Sequence, residues 1–359
     1  MRFAVLGTVL LGALAQSTSY AGAGGSAAAC QRDLEVLPAY LLANDAGGRA
    51  AWDRFGEKHF NAAMEQALVA MKSVTDSASC VAALRSYLKA WRDGHLWVYD
   101  RTPHTTSPDD ATPTARVEWL SSRTALLVFP TFEGSARDSV AKLLGENRAK
   151  LARHANWIID VRGNGGGSDS TYLEILRWIG PASRETVQVE YWVTAANIEA
   201  VKQTCALLGA GDDQCEPSMR AELERMQSVP ASSWVQQRPG AAVLEELQEN
   251  PEPVRPQRVA ILVDDGCKSS CEEFLLDARQ GFTVKLVGQH TGGTLDYSNL
   301  RPYVLPSGNL VLLYAVTRSL RIPAMPVDGV GVMPDVFVPA GGDLVKSVLR
   351  WLEGGSLAH

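Results

Sequence analysis

The segment from Val259 to Gly281 constrains the fold most, because it switches from one hydrophobic periodicity to another within a few residues. Val259–Val263 is a continuous apolar run, as in strands that are buried on both faces. After a turn at Asp264–Gly266, apolar residues recur at helical spacing over Cys271–Ala278. The segment therefore predicts a buried strand, a tight turn and an amphipathic helix.

Two serines, Ser269 and Ser270, stand at the predicted start of this helix. A helix N-terminus has unpaired backbone N–H groups and partial positive charge, which stabilise a developing oxyanion, so either serine is a candidate nucleophile. The alternative is that Ser269 only caps the helix, with Glu272 completing an S-x-x-E capping box. This segment alone favours the cap.

Composition describes an ordinary globular protein. The chain has 359 residues, of which 46% are hydrophobic, so it can bury a large core and is long enough for two domains. Its net charge is −6, and no cluster of Lys and Arg is interleaved with aromatic residues. We therefore expect no nucleic-acid partner.

The first residues are typical of a secretory signal. Met1 and Arg2 precede the apolar Phe3–Ala15, and small residues follow up to Ala23. We predict a signal peptide over residues 1–23 and a secreted or periplasmic protein. No later apolar run approaches the length of a membrane span, so the mature chain is expected to have none.

Six cysteines in an exported chain are an even number and are compatible with disulfides. We predict pairing of nearest neighbours: Cys30–Cys80, Cys205–Cys215 and Cys267–Cys271. The sequence has no two C-x-x-C pairs and no histidine at ligand spacing beside them, so we expect neither a metal site nor a cofactor.

Periodicity divides the remainder of the chain. Residues 24–100 are predicted to form a small helical N-terminal domain, and residues 114–345 an α/β core in which strands alternate with helices. Within the core, residues 195–250 are polar and are predicted to be a mostly helical insertion or lid. Residues 346–359 form a predicted C-terminal helix and tail.

Two further features carry candidate chemistry. His95 follows a turn at Asp93–Gly94 and begins a short alternating strand; a lone histidine in such a place is more often packed or at the surface than a base. The glycine run Gly163–Gly167 lies between a predicted strand and a helix, where backbone N–H groups can approach a ligand. It matches neither the dinucleotide fingerprint nor the phosphate-binding P-loop.

Four parts of the sequence occur in the order DGHL, IIDVRGNGGG, ILVDDGCKSSCEEF with LVGQHTGG, and GVGVMPDVFV, between Asp93 and Val338. In this order they resemble the tail-specific, or C-terminal-processing, serine peptidase family, which includes the tricorn protease core. The resemblance implies a crotonase-like (ClpP-like) core of stacked ββα units that cleaves a peptide or protein substrate. No segment between the helices and the core is long enough for the PDZ-like domain of many relatives, so a preference for substrate C-termini is not implied.

The resemblance also implies roles for individual residues. Ser269 falls on the position of the nucleophile, and the oxyanion hole would use the backbone N–H of Ser270 and of the glycine loop. Many relatives have Pro where Gly165 stands, and Pro has no N–H, so Gly166 is the first candidate donor and Gly167 the second.

One departure from the family pattern points to a histidine base. Relatives with a Ser–Lys dyad carry lysine about 25 residues after the nucleophile, where this chain has Thr294, and an acid or amide at the position of Gln280. Tricorn-like relatives use a histidine from the D-G-H region, here His95, with a carboxylate at the position of Asp328. His290 is the rival base. A histidine base predicts activity that rises with pH through about 6.5 to 7.5.

Two other functions stay open at this point. The missing lysine, and a Cys267–Cys271 pair beside the nucleophile, suggest a catalytically inactive binding or scaffold protein that retains the peptidase fold. An esterase-like hydrolase is the third interpretation, but no G-x-S-x-G elbow surrounds Ser269.

Overall fold

A computed structural model describes residues 27–102, 114–208, 215–247 and 255–354. The predicted signal peptide, residues 1–23, lies outside the described residues.

The helices fall into an N-terminal group and a group distributed through the α/β part of the chain. They are α1 (Ala27–Asn44), α2 (Gly48–Phe55), α3 (Glu57–Met71), α4 (Ser77–Leu88), α5 (Arg137–Leu151), α6 (Asp169–Ile179), α7 (Ala195–Leu208), α8 (Cys215–Gln227), α9 (Ser270–Ala278) and α10 (Leu344–Leu352).

The strands are short, as is typical of a mixed α/β protein. They are β1 (Leu96–Asp100), β2 (Arg116–Trp119), β3 (Thr124–Val128), β4 (Asn156–Asp160), β5 (Ser183–Val187), β6 (Val189–Val193), β7 (Ser233–Gln236), β8 (Ala242–Glu246), β9 (Arg258–Val263), β10 (Val284–Gly288), β11 (Tyr297–Val304), β12 (Leu310–Ser319) and β13 (Val336–Phe337).

The main sheet has the strand order β13-β10-β9-β4-β3-β2 and is parallel except for β2, which pairs antiparallel with β3. Its central strands β3, β4 and β9 are largely apolar on both faces, and helices cover both faces. Alternate residues such as Ile159 and Ile261 pack with α5, α6 and α9. Their neighbours Ile158 and Leu262 pack with α10. This burial on two sides explains the continuous apolar runs of the sequence and confirms an α/β fold.

The second sheet is antiparallel, with the order β1-β12-β6-β7 and β11 also paired to β12. The N-terminal helices share one hydrophobic core with it, in which Leu34 of α1 and Leu84 of α4 lie with Tyr314 of β12. Strand β1, which the sequence placed at the end of the helical segment, pairs in register with β12, Leu96 opposite Tyr314. The N-terminal helices are therefore built onto this sheet.

The segment predicted as a mostly helical insertion, residues 195–250, is helical only in its first half. Helices α7 and α8 are followed by β7, which extends the second sheet, and by β8, which forms a two-stranded sheet with β5. Both strands find their partners in the segment before α7, so the insertion is tied back to the chain that precedes it.

All three predicted disulfides are present. Cys30–Cys80 joins α1 to α4, Cys205–Cys215 joins α7 to α8, and Cys267–Cys271 closes around the turn between β9 and α9. Their Cα–Cα distances of 5.8, 5.8 and 5.4 Å are ordinary for disulfides. In the part of the chain that the structure describes, no helix has the length and apolarity needed to cross a membrane.

Candidate active site

The candidate nucleophile Ser269 lies directly before α9, at the carboxyl end of β9. Its backbone angles are φ 58° and ψ −128°, a conformation that residues with a side chain rarely adopt. Such strain persists only where the surrounding structure enforces it, and it concentrates at functional sites. Ser269 is half-buried and lines an open cleft of about 780 Å³.

The buried carboxylate of Glu272 ties this turn to the loop that follows β10. One of its oxygens accepts the N–H groups of Ser269 at 3.2 Å and of Thr294 at 2.8 Å. The other accepts the Thr291 hydroxyl at 2.5 Å and the Gly293 N–H at 2.7 Å. Glu272 therefore does form the capping interaction at the N-terminus of α9, and the same interaction fixes the backbone of the candidate nucleophile.

The glycine loop lies against the same turn. Asn164 is buried and joins the two segments, since its side-chain oxygen accepts the Gly166 N–H at 2.9 Å and its backbone oxygen accepts the Lys268 N–H at 3.1 Å. Gly166 has φ 94°, and a Cβ there would lie 2.8 Å from the Cβ of Ser269. Only glycine allows the loop to approach the serine this closely.

This geometry changes the order of the expected oxyanion donors. The N–H of Gly166, the first candidate, is already bound by Asn164. The N–H groups of Gly167 and Ser270 have no hydrogen-bond acceptor among the described residues. Both residues line the cleft beside Ser269, and the Ser270 hydroxyl donates to the Gly167 carbonyl at 3.1 Å. Gly167 and Ser270 are therefore the donors that remain available.

His95 lines the same cleft as Ser269, although it is only 6% exposed. Its Nδ1 lies 2.5 Å from the carbonyl oxygen of Tyr297. A carbonyl oxygen can only accept, so Nδ1 carries the proton of the neutral ring and Nε2 keeps a lone pair. The pKa of His95 is lowered to about 4, mainly by burial; the hydrogen bond to Tyr297 opposes this shift, and the charge of Arg92 contributes to it. At neutral pH the ring is therefore uncharged, as a general base must be.

The backbone around His95 is also fixed. The Arg92 guanidinium donates to the His95 carbonyl at 3.2 Å and to the buried Asp45 carboxylate at 2.9 Å. It also lies over the Tyr297 ring, 4.9 Å from the centroid. Asp45 in turn accepts the Ala315 N–H, so the histidine turn is connected to α1 and β12.

Thr294 stands where Ser–Lys relatives carry lysine, and its contacts are structural. Thr294 is buried, gives its N–H to Glu272 and lies against Gly94, where any side chain would collide with the Thr294 methyl group. Gly94 has φ 70°, which also favours glycine. The loop that holds a lysine in Ser–Lys relatives here contacts the turn that presents His95.

Asp328 takes part in a reciprocal pair of side-chain to backbone interactions. Its carboxylate accepts the N–H groups of Leu295 and Asp296, both at 2.6 Å. The Asp296 carboxylate accepts those of Val327 at 2.7 Å and Asp328 at 2.8 Å. The pKa of Asp328 is raised to about 6, mainly by burial; the two backbone hydrogen bonds oppose this shift, and the nearby Asp296 charge contributes to it.

The expected contact between Asp328 and His95 is therefore not what the structure shows. The acceptor at Nδ1 of His95 is the Tyr297 carbonyl, whereas Asp328 Oδ1 accepts the backbone N–H groups of Leu295 and Asp296. Asp328 instead holds the two residues that precede Tyr297. It orders the segment that supplies the carbonyl.

The rival base His290 is exposed and lies beside the Phe337 ring, with 6.4 Å between centroids. It is not among the residues that line the cleft with Ser269. The cleft walls carry paired charges, including Arg321 with Glu273 at 3.2 Å. Among the described residues, no group of three His, Cys, Asp or Glu side chains could hold a metal ion.

Sequence reasoning missed three contributors to this site. Asn164 and Arg92 stand inside the motifs G-N-G-G-G and W-R-D-G-H, so a signal for them existed. Tyr297 contributes its backbone carbonyl, a group that every residue type has, and no sequence pattern could have identified it.

Comparison with solved structures supports the fold alone, because the identities are low. A lipoprotein from Streptococcus agalactiae has a TM-score of 0.52 at 13% identity, over 97% of this chain and 99% of that chain. A putative peptidase from Parabacteroides merdae ATCC 43184 has a TM-score of 0.50 at 15% identity, over 92% and 94%. Mature CPAF complexed with lactacystin has a TM-score of 0.59 at 11% identity, over 87% and 94%.

Sequence comparison is more specific about the family. The curated proteins include no match to this sequence. The model of Peptidase family S41 matches residues 123–338, more than half of the chain, from β3 to the end of the segment after β13. This range contains the glycine loop, the turn that carries Ser269, and Asp328, and the chain therefore belongs to peptidase family S41.

Proposed function

We propose that this protein is a serine endopeptidase that cleaves peptide bonds by acyl transfer through Ser269 and His95. The observation that carries the proposal is the pairing of two strained residues in one cleft. Ser269 at φ 58° and His95 at φ 46° both line it, and the hydrogen bond at Nδ1 of His95 leaves Nε2 free to accept a proton. A nucleophile and a base of the correct tautomer therefore face the same space.

In the acylation step, Ser269 Oγ attacks the carbonyl carbon of the scissile bond while His95 Nε2 takes the hydroxyl proton. The carbonyl oxygen becomes an oxyanion, which accepts hydrogen bonds from the N–H groups of Gly167 and Ser270. His95 then gives the proton to the leaving amine as the C–N bond breaks. An acyl-enzyme on Ser269 and a free amine remain.

In deacylation, His95 takes a proton from water, and the hydroxide formed attacks the acyl carbon. Collapse of the second tetrahedral intermediate releases the carboxylic acid product and returns the proton to Ser269. The protonated His95 is stabilised by the Tyr297 carbonyl and not by a carboxylate. This makes the imidazolium a strong acid, so it favours rapid proton transfer to the leaving amine.

We also infer that the protein acts outside the cytoplasm and that residues 114–345 form a crotonase-like core of stacked ββα units. Three disulfides support the first inference, because such bonds persist in oxidising compartments. The match of residues 123–338 to Peptidase family S41, together with their largely parallel sheet, supports the second.

Labelling with a fluorophosphonate tests the nucleophile. We expect the wild-type protein to be labelled and to hydrolyse an unfolded protein such as casein, and Ser269→Ala to lose both. Ser139→Ala, on the exposed face of α5 and outside the cleft, is the matched control and should still be labelled at Ser269. An unlabelled, inactive wild-type protein would instead support a binding or scaffold role, and turnover by Ser269→Ala would exclude Ser269 as the nucleophile.

A further inference from the structure

The Cys267–Cys271 disulfide brackets the candidate nucleophile. The two cysteines are four residues apart, and Lys268, Ser269 and Ser270 lie between them. Both cysteines are fully buried in the core under the main sheet. Resting on the proposed role of Ser269, we propose that this disulfide is a positioning element, which holds the serine backbone in its positive-φ conformation for attack.

Chain entropy argues against a mainly stabilising role. The stabilisation that a cross-link gives by restricting the unfolded chain grows with the logarithm of the loop that it closes. Cys30–Cys80 closes a loop of 50 residues, whereas Cys267–Cys271 closes one of 4. Of the three disulfides, the one at the nucleophile therefore restricts the unfolded chain least.

The disulfide spans a residue whose backbone conformation is disfavoured. Ser269 has φ 58°, which its Cβ disfavours, so the turn tends to relax to a negative φ unless its ends are fixed. At one end, the Cys267 carbonyl accepts the Gly292 N–H at 2.9 Å. At the other, Cys271 is packed within α9 beside Phe274. The disulfide joins these two anchored ends across the strained residue.

Relaxation of this turn would disturb the catalytic geometry directly. The Cβ of Ser269 and the N–H of Ser270 both lie close to Gly166 in the glycine loop. A change of φ at Ser269 would move its hydroxyl relative to the N–H groups of Ser270 and Gly167. The nucleophile and the oxyanion donors would no longer be aligned, while the remainder of the core would stay intact.

The test compares two double variants in the full-length protein. Cys267→Ala/Cys271→Ala should lower kcat by about tenfold or more with little change in KM, because a strained attack geometry is lost and binding is not. Its melting temperature should fall less than that of the control Cys30→Ala/Cys80→Ala. The control should keep wild-type kcat at a temperature well below its melting point. Cys267→Ala/Cys271→Val, which refills the buried volume, replaces the first variant if that does not fold.

A crystal structure of the Cys267/Cys271 variant decides the matter independently of activity. We expect Ser269 to leave the positive-φ region. A retained φ near 58°, an unchanged kcat, or a loss of melting temperature as large as in the control would each overturn the proposal. If the wild-type protein is not labelled at Ser269, the proposed peptidase mechanism fails, and the backbone comparison still decides whether the disulfide holds the turn.

Discussion

At the scale of the residue, the site depends on a histidine whose partner is a carbonyl group. A carboxylate at Nδ1 would stabilise the imidazolium and raise its pKa. The Tyr297 carbonyl fixes the tautomer but supplies no charge, so burial dominates and the pKa of His95 falls to about 4. In the proposed mechanism, His95 is therefore a weak base that is uncharged near neutral pH.

Replacement of the base tests its identity. We expect His95→Ala to lower kcat/KM about a hundredfold or more, since loss of a general base commonly has this effect. The matched control His290→Ala should retain close to the wild-type rate, because His290 is exposed and does not line the cleft. Steady-state hydrolysis of a peptide substrate measures both. The reverse pattern would assign the base to His290.

The pH dependence of kcat/KM distinguishes a buried histidine base with a lowered pKa from a histidine base with an ordinary pKa. A base acts when unprotonated, so kcat/KM should fall as the pH drops through the pKa of His95 in the free enzyme. Because burial places that pKa at about 4, the rate should be nearly constant from pH 5.5 to 8. This differs from the rise through about 6.5 to 7.5 that an unperturbed histidine gives. A midpoint above about 6, measured in kcat/KM profiles, would contradict the burial argument.

At the scale of the element, the loop from Thr291 to Thr294 is connected to α9 through Glu272. Four donors converge on one buried carboxylate, and one of them is the N–H of Ser269. The same loop packs on Gly94 at the turn that presents His95. Through this loop, Glu272 therefore connects the strand-turn-helix unit that carries Ser269 with the turn that presents His95.

Glu272→Gln should disturb both stability and catalysis. The amide keeps one acceptor oxygen and places an NH₂ group against N–H and O–H donors, so buried donors lose their partners. We expect a loss on the order of 3 kcal/mol in the free energy of unfolding and at least about a tenfold loss in kcat/KM. Glu146→Gln on the exposed face of α5 is the control and should change neither. Denaturant unfolding and peptide hydrolysis measure the two effects; wild-type values for Glu272→Gln would show that the connection is dispensable.

The same element shows how far sequence reasoning could go. The strand, turn and helix around Ser269 were predictable because each is a local pattern of hydrophobic spacing, and β9 and α9 confirm them. Strands β7 and β8 were missed because they are short, and their partners β6 and β5 lie elsewhere in the chain. The partner of Asp328 was missed for a related reason: backbone amides from a distant turn compete for its carboxylate.

At the scale of the whole molecule, the two candidate catalytic residues come from different sheets. Ser269 follows β9 of the main sheet, whereas His95 immediately precedes β1 of the second sheet. The two aspartates Asp296 and Asp328 clamp the segment that leads into β11 and carries the Tyr297 carbonyl. The site therefore depends on how the two sheets are held together, and two titratable groups with shifted pKa values, His95 and Asp328, lie at this junction.

His95 and Asp328 affect the stability of this junction in opposite directions. The pKa of His95 falls from 6.5 to about 4 on folding, so between these values the unfolded chain binds more protons and stability rises with pH. The pKa of Asp328 rises from 3.8 to about 6, so over nearly the same window the folded chain binds more protons and stability falls with pH. Each slope approaches about 1.4 kcal/mol per pH unit, and in the wild-type protein they largely cancel.

Asp328→Asn removes the contribution of Asp328 to the pH dependence of stability, so the opposite contribution of His95 should become measurable. The amide oxygen can still accept the N–H groups of Leu295 and Asp296, so the variant should fold at neutral pH. Relative to wild type, its free energy of unfolding should rise more steeply with pH between about 4 and 6, by up to about 1.4 kcal/mol per unit. Guanidinium unfolding at half-unit steps of pH measures this difference, and groups that titrate equally in both proteins drop out of it. Parallel stability curves for the two proteins would show that Asp328 is ionised throughout and that burial does not raise its pKa.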